Sequence, residues 1–249
     1  MSFKDDLVSG KAILGTFLKT PHAHLIEVLA TCGLDCVCLD AEHAPFDRRD
    51  LDMCILAGRA GNFPTLVRIA HASDEQILNA LDCGADGVVV PHVKSANQAR
   101  AIAKACHYGP GGRGYAGSTR AADYGLMSMA THQNASAART IVIAQIEDLE
   151  ALNEIEEIAA VSGIDALFIG RIDLTVALGC DSPDDPRVIA AVDQIVTACV
   201  KAGRTVGMFL PRPSDVKHWQ DKGVTFFLLG SDHSFVRAGA AAMRSATGL

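Results

Sequence analysis

The chain has 249 residues, 49% of them hydrophobic and only 5% aromatic, and carries a formal net charge of −7. That is enough apolar material for a large core, and the scarcity of aromatics beside many small residues favours close helix–strand packing over an all-β architecture. The negative charge argues against a nucleic-acid or anionic-membrane partner, while a local site can still oppose it and take a small anion.

The first residues, MSFKDDLVSGK, are polar and acidic and do not form a secretory signal. Eight short apolar runs follow: AILGTFL (12–18), DCVCLD (35–40), FPTLVRI (63–69), DGVVVPHV (86–93), TIVIAQIE (140–147), DALFIG (165–170), RTVGMFL (204–210) and TFFLLGS (225–231). Between them lie segments of helical period such as RRDLDMCILAGRAG and PRVIAAVDQIVTACVKAG. Gly33, Gly61, Gly84, Gly163, Gly203 and Gly223 each stand between a helix and the next strand, as left-handed C-caps do. Runs that are apolar on both faces suit parallel strands covered by helices. Eight β-α units at this length predict one (β/α)8 TIM barrel over residues 1–249, with a doubly wound sheet as the alternative. Residues 107–139 interrupt the rhythm as a long insertion, of the kind usually found at functional or interface loops.

The eight cysteines include no C-x-x-C pair, and most sit inside apolar runs, among them Cys36, Cys38 and Cys199. They read as small reduced core residues of a cytoplasmic protein. No apolar run approaches the roughly 20 residues of a membrane span.

Barrel active sites form at strand C-termini. The polar residues there are Asp40, Glu42 and His43 after the second strand, Arg68 at the third and His92 after the fourth. Gln145 and Glu147 end the fifth strand, Gly170, Arg171 and Asp173 follow the sixth, and Ser231, Asp232 and His233 follow the eighth. Gln145 and Glu147 are two apart and point to one side of their strand. Glu147 and Asp173 end consecutive strands, which lie about 4.8 Å apart, so they can share a divalent ion of the Mg²⁺ or Mn²⁺ kind. The plainer alternative makes Glu147 a helix cap and Asp173 a loop residue. Arg68 can hydrogen-bond a carboxylate or enolate oxygen, or form a structural ion pair with Asp40. His43 can act as a base, oriented by Asp40 or Glu42, or simply cap a turn. GPGGRG (109–114) follows a helix rather than a strand and is no dinucleotide fingerprint. No lysine falls within a predicted strand, which disfavours imine chemistry.

The segments LDAEHAP, LVRI, VVVPHV, GRGYAG…RAADYG, AQIEDLEALNEIEEIAAVSGIDALFIGRIDLT and LLGSD, in that order from about Gly15 to Asp232, resemble the HpcH/HpaI family of metal-dependent class II pyruvate aldolases, typified by enzymes that cleave 4-hydroxy-2-oxoheptanedioate. The resemblance implies His43 as catalytic base, Arg68 as enolate stabiliser and Glu147 and Asp173 as ligands of a divalent ion (Mg²⁺, Mn²⁺ or Co²⁺). It implies Gln145, Gly170 and the backbone of Ile172 as substrate contacts. Asp82 matches an acid that raises the basicity of the histidine across a subunit boundary. It further implies a homo-oligomer, commonly a hexamer built as a trimer of dimers, in which the terminal helix is exchanged between subunits. Three departures bear on the acceptor aldehyde and on chain length: Arg171 in place of a proline, His92 in place of a methionine, and Phe17 where relatives carry tryptophan.

The expected reaction is reversible cleavage of a 4-hydroxy-2-oxo acid to pyruvate and an aldehyde through a metal-stabilised enolate. The runner-up is decarboxylation of oxaloacetate or a related 2-oxo diacid through the same enolate. A non-catalytic barrel that holds a small carboxylate is the third reading.

Overall fold

The computed structural model describes residues 2–248. Eight parallel strands close a barrel in strict chain order: β1 (Ile13–Leu18), β2 (Cys36–Asp40), β3 (Thr65–Arg68), β4 (Gly87–Val90), β5 (Ile141–Ile146), β6 (Ala166–Ile169), β7 (Thr205–Leu210) and β8 (Phe226–Ser231). All eight expected strands are present. The helices are α1 (Phe3–Val8), α2 (Ala23–Ala30), α3 (Arg48–Ala60), α4 (Asp74–Asp82), α5 (Ala96–Cys106), α6 (Met129–Arg139), α7 (Leu149–Asn153), α8 (Ile155–Ala159), α9 (Arg171–Ala177), α10 (Pro186–Lys201), α11 (Val216–Asp221) and α12 (Asp232–Thr247).

Helix starts follow capping chemistry. Ser73 and Ser95 accept from the third N–H of α4 and α5, at 3.2 Å each. Five of the six expected glycine caps take positive φ, whereas Gly61 has φ −88° and the left-handed residue is its neighbour Asn62, at φ 49°. Asparagine tolerates that conformation, so the turn shifts by one residue. The insertion at 107–139 is not wholly loop. It holds a 3-10 turn at Arg120–Gly125 and then α6, whose sequence MATHQNASAAR lacks an apolar stripe. The helix starts on the Ser128 cap and buries His132 and Ser136 instead.

Two apolar layers result. The outer one fills the space between strands and helices. The inner one includes Ile13, Phe17, Cys38, Leu66, Phe168 and Phe226. The lumen is tight enough that a Cβ at Gly207 would lie 2.5 Å from the Phe226 ring. α1 plugs the lower mouth: Leu7 is fully buried and its carbonyl accepts from Thr205 Oγ1 at 2.9 Å.

Three aspartates clamp neighbouring strands at that end. Asp35, Asp86 and Asp165 accept the N–H of Leu14, Thr65 and Val142 at 2.8–2.9 Å. Each returns its own N–H to the carbonyl of the same residue. At the upper end, the inward alternation runs on from apolar to polar. Cys38 is followed two residues later by Asp40, Leu66 by Arg68, Ile143 by Gln145 and then Glu147, and Phe168 by Gly170. The period of two thus carries these polar groups to the C-terminal mouth.

Candidate active site

Strand register sets the first group. Asp40 pairs with Arg68 across β2 and β3. The guanidinium donates to Asp40 Oδ1 from Nε at 3.1 Å and Nη2 at 2.8 Å, and lies 4.5 Å over the Phe17 ring. The same oxygen accepts the His43 N–H at 3.1 Å, and Lys19 Nζ stands 3.2 Å from Asp40 Oδ2. Burial pushes the Asp40 carboxyl up, but Arg68, the His43 N–H and Lys19 outweigh it and hold it below the usual carboxylate range. Arg68 therefore both forms the ion pair and lines the cavity above. The His43 ring is half-exposed on the same cavity, its Nε2 3.7 Å from Glu42 Oε2.

Glu147 sets the second group. It lies one residue past β5, is 3% exposed, and accepts hydrogen bonds from Gln145 Nε2 and from the His92 N–H, the latter at 2.9 Å. It does not cap α7, whose N-cap is Asp148. Asp173 is not a loop residue either: it sits in the first turn of α9, with Gly170 at the N-cap. Burial, reinforced by the charge of Asp173, raises the pKa of both Glu147 and Glu42 above the ordinary carboxylate value. A Cβ on Gly170 would meet Glu147 Oε2 at 2.5 Å, so only glycine lets the carboxylate lie against this turn. His92 has φ 55°, a conformation that costs a non-glycine residue on the order of 1–3 kcal/mol.

The donor set fits a divalent cation. Ligand atoms of Glu42, His92 and Glu147 all lie within 4.8 Å of one another. Glu42 Oε2 and Gln145 Oε1 are buried and have no hydrogen-bond partner. Arg68 Nε stands 3.3 Å from Glu42 Oε2, and among the described residues Glu147 is left without a cationic side chain other than His92, so a further positive charge beside it is favourable. The charge of Asp173 acts on both acids, but the cluster within ligand distance is Glu42, His92 and Glu147 and does not include Asp173. Glu42 and His92 stand beside Glu147 in place of the Asp173 that the sequence predicts as its fellow ligand. Their signal was position alone, each two residues past a strand end.

The cavity beside the cluster has a volume of about 570 Å³ and opens at the C-terminal mouth. Phe17, Phe168 and Phe209 form its apolar wall, and His43, Arg68, Gln145, Gly170, Ile172 and Asp173 also line it. Lys19 and Arg237 line it too, and neither was singled out for the site from sequence. Arg171 bonds to the Pro183 carbonyl at 3.1 and 2.7 Å and to Asp184 at 2.6 Å, with its guanidinium over Trp219. Its charge is therefore directed at that loop and not at Glu147. Asp82 is not brought to His43 within one chain. It ends α4, just below the start of β4 and so at the opposite end of the barrel, where it pairs with Arg113. The GSD stretch closes the mouth structurally: Asp232 accepts the N–H groups of Lys19 and Thr20 at 2.8 and 3.0 Å.

Known proteins are similar to this chain in sequence and fold. The 2-dehydro-3,6-dideoxy-6-sulfogluconate aldolase of Pseudomonas putida is 35% identical over 231 residues, 92% of this chain and 90% of that protein. The 4-hydroxy-2-oxovalerate aldolase of Rhodococcus jostii (strain RHA1) is 34% identical over 233 residues, 93% and 90% of the respective chains. The crystal structure of an HpcH/HpaI aldolase/citrate lyase family protein from Burkholderia cenocepacia superposes with a TM-score of 0.92 at 30% identity, covering 98% of each chain. The sequence profile of the HpcH/HpaI aldolase/citrate lyase family matches residues 14–238, and the chain belongs to that family.

Proposed function

We propose that the protein is a divalent-metal-dependent carbon–carbon lyase that reversibly cleaves a 4-hydroxy-2-oxo acid to pyruvate and an aldehyde. The observation that carries this reading is the convergence of His43, the Asp40-anchored Arg68 and Gln145 on one cavity beside the Glu147–Asp173 carboxylates. Glu147 and Asp173 hold the ion, Mg²⁺, Mn²⁺ or Co²⁺, which when bound supplies Lewis acidity toward the 2-oxo group.

The chain's own residues do the rest. Arg68 is fixed in place by Asp40 and presents a permanent positive charge where negative charge develops on the substrate oxygen. Gln145, immobilised by its bond to Glu147, orients the substrate. The first intrahelical bond of α9 runs from Leu174 N to Gly170 O at 3.0 Å, so the Ile172 N–H precedes it and is free to take the substrate carboxylate. His43 removes the proton from the C4 hydroxyl. The C4–O bond becomes a carbonyl, the C3–C4 electron pair passes into the enolate of pyruvate, and the aldehyde leaves. Protonation at C3 then completes pyruvate. The apolar wall of Phe17, Phe168 and Phe209 keeps water from the enolate.

Assembly belongs to the same reading. α12 is a 16-residue helix with Asp232 as its one buried residue, while Phe235, Val236 and Met243 are 43, 68 and 71% exposed. A helix with no covered apolar face gains little from packing. We propose that a second copy of the chain covers it, as in a trimer of dimers with exchanged terminal helices, and that Asp82 acts on a neighbour's pocket. Six of the eight cysteines are buried and all are free, which supports a reducing compartment such as the cytoplasm. Among the described residues, no helix is long and apolar enough to cross a membrane.

The test is pyruvate release from a panel of 4-hydroxy-2-oxo acids, with oxaloacetate alongside. His43→Ala is expected to lower kcat by about 10²–10⁴-fold with metal binding retained. Glu147→Gln is expected to abolish metal stimulation. Unchanged pyruvate formation by His43→Ala would overturn its assignment as base. Faster turnover of oxaloacetate than of every hydroxy-oxo acid would make the protein a decarboxylase.

A further inference from the structure

His92 is an unexplained participant in the candidate site. It follows Pro91 beyond β4 in a left-handed conformation, at φ 55°. That backbone turn sends its N–H to Glu147 Oε1 at 2.9 Å and places its ring between three carboxylates. Nδ1 lies 2.9 Å from Asp148 Oδ2, and Nε2 lies 3.7 Å from Glu42 Oε1. Asp148 is itself held by Lys94 Nζ at 3.1 Å.

We propose that His92 is a direct ligand of the divalent ion, through Nε2. The site would then hold the ion with a mixed carboxylate–imidazole set and favour Co²⁺ or Zn²⁺ over Mg²⁺. The proposal rests on the reading of Glu147 as a metal ligand and adds to it the identity of a further ligand and the class of ion.

Three observations carry it. First, His92 Nδ1 lies 2.9 Å from Asp148 Oδ2, and the tautomer that donates there presents the Nε2 lone pair toward Glu42 Oε1. A carboxylate on the far nitrogen is how metal-binding histidines are commonly oriented. Second, the Glu42 side chain is only 9% exposed and presents Oε1 to His92 Nε2 at 3.7 Å, while its Oε2 lies 3.3 Å from Arg68 Nε. Third, one donor atom each of Glu42, His92 and Glu147 falls within 4.8 Å of the others, with the imidazole ring reaching Glu147 Oε1 at 3.4 Å through Nδ1 and Glu42 Oε1 at 3.7 Å through Nε2. Ligands at roughly 2.1 Å from one ion stand about 3 Å apart when adjacent and about 4 Å apart when opposed. Small side-chain adjustments close this set on an ion. Imidazole suits Zn²⁺ and Co²⁺, whereas Mg²⁺ keeps oxygen ligands and water.

The test uses the full chain, stripped with a chelator and reloaded with one ion at a time. Calorimetric titration gives Co²⁺ and Mg²⁺ affinities for the parent protein, Glu147→Gln and His92→Asn; asparagine tolerates the left-handed turn. Pulsed EPR of the Mn²⁺-loaded proteins detects ligating imidazole nitrogen. The parent is expected to show that nitrogen modulation and His92→Asn to lack it. His92→Asn is also expected to bind Co²⁺ on the order of 10–100-fold more weakly, with a smaller loss for Mg²⁺. Circular dichroism confirms that the variant is folded, and Asp148→Asn, which leaves the ring in place, should weaken Co²⁺ binding in the same direction. Nitrogen modulation that is absent from the parent, or that persists in His92→Asn, overturns the proposal. If either occurs while Glu147→Gln still abolishes binding, only the role of His92 falls. A parent protein that binds no divalent ion removes the metal reading and this proposal together.

Discussion

Gly170 shows how closely the site is built around single atoms. Its missing side chain leaves room for Glu147, whose Oε2 and Cβ would lie 2.5 and 2.6 Å from any added Cβ. Gly170→Ala must therefore push the Glu147 carboxylate out of place. Displacement of about 1 Å at a reacting centre costs on the order of 100-fold. We expect Gly170→Ala to lower pyruvate release by at least that order and to weaken metal binding, both read on the purified variant. Arg68, Gln145 and Glu147 are legible as candidate site residues because each sits at the polar end of an apolar run. Glu42 and His92 were harder to read. Their meeting depends on the turn after β2 and on a left-handed residue after β4, and one chain's sequence does not encode which loop atoms approach. Asp173 was legible as a strand-end acid, but its place in the first turn of a short helix was not.

The strands were legible as elements because burial on both faces writes a continuous apolar run. The clamps between them were not, although G-x-D precedes β2, β4 and β6 at Gly33–Asp35, Gly84–Asp86 and Gly163–Asp165. Only the barrel register shows that each aspartate binds the backbone of the preceding strand. Asp165 accepts the Val142 N–H at 2.9 Å and pairs with Lys4 Nζ at 3.1 Å, tying β5, β6 and α1 together. A hydrogen bond to a charged group in such a place is worth about 1.5–3 kcal/mol. Asp165→Ala is expected to lower the melting temperature by roughly 4–8 °C, with Asp165→Asn losing less because its amide oxygen still accepts. Thermal unfolding followed by circular dichroism checks it; equal melting temperatures would mean the clamp contributes nothing. The helices α1, α6 and α9 escaped the sequence reading for a common reason. Each is short or lacks an apolar stripe, so its stability comes from caps and from the surface it covers.

For the whole molecule, α12 is the element that one chain leaves unexplained. Its exposed Val236 and Met243 are expected to meet another copy. Val236→Glu combined with Met243→Glu should lower the mass measured by light scattering to that of a smaller assembly, with helix content unchanged because neither side chain is buried within the chain. An unaltered mass would place the interface elsewhere. By itself, the sequence determined the barrel, the number and order of its strands, and the acidic and basic residues at its mouth. It could do so because an alternation of buried strand and amphipathic helix is a local signal repeated along the chain. The tertiary structure alone decided which of those polar groups meet. Asp40 locks Arg68, Glu42 and His92 gather around Glu147, and Asp82 is carried to the far end of the barrel. These contacts are set by strand register, by the angle of each loop and by the burial that makes isolated charge costly, none of which is a property of neighbouring residues in the sequence.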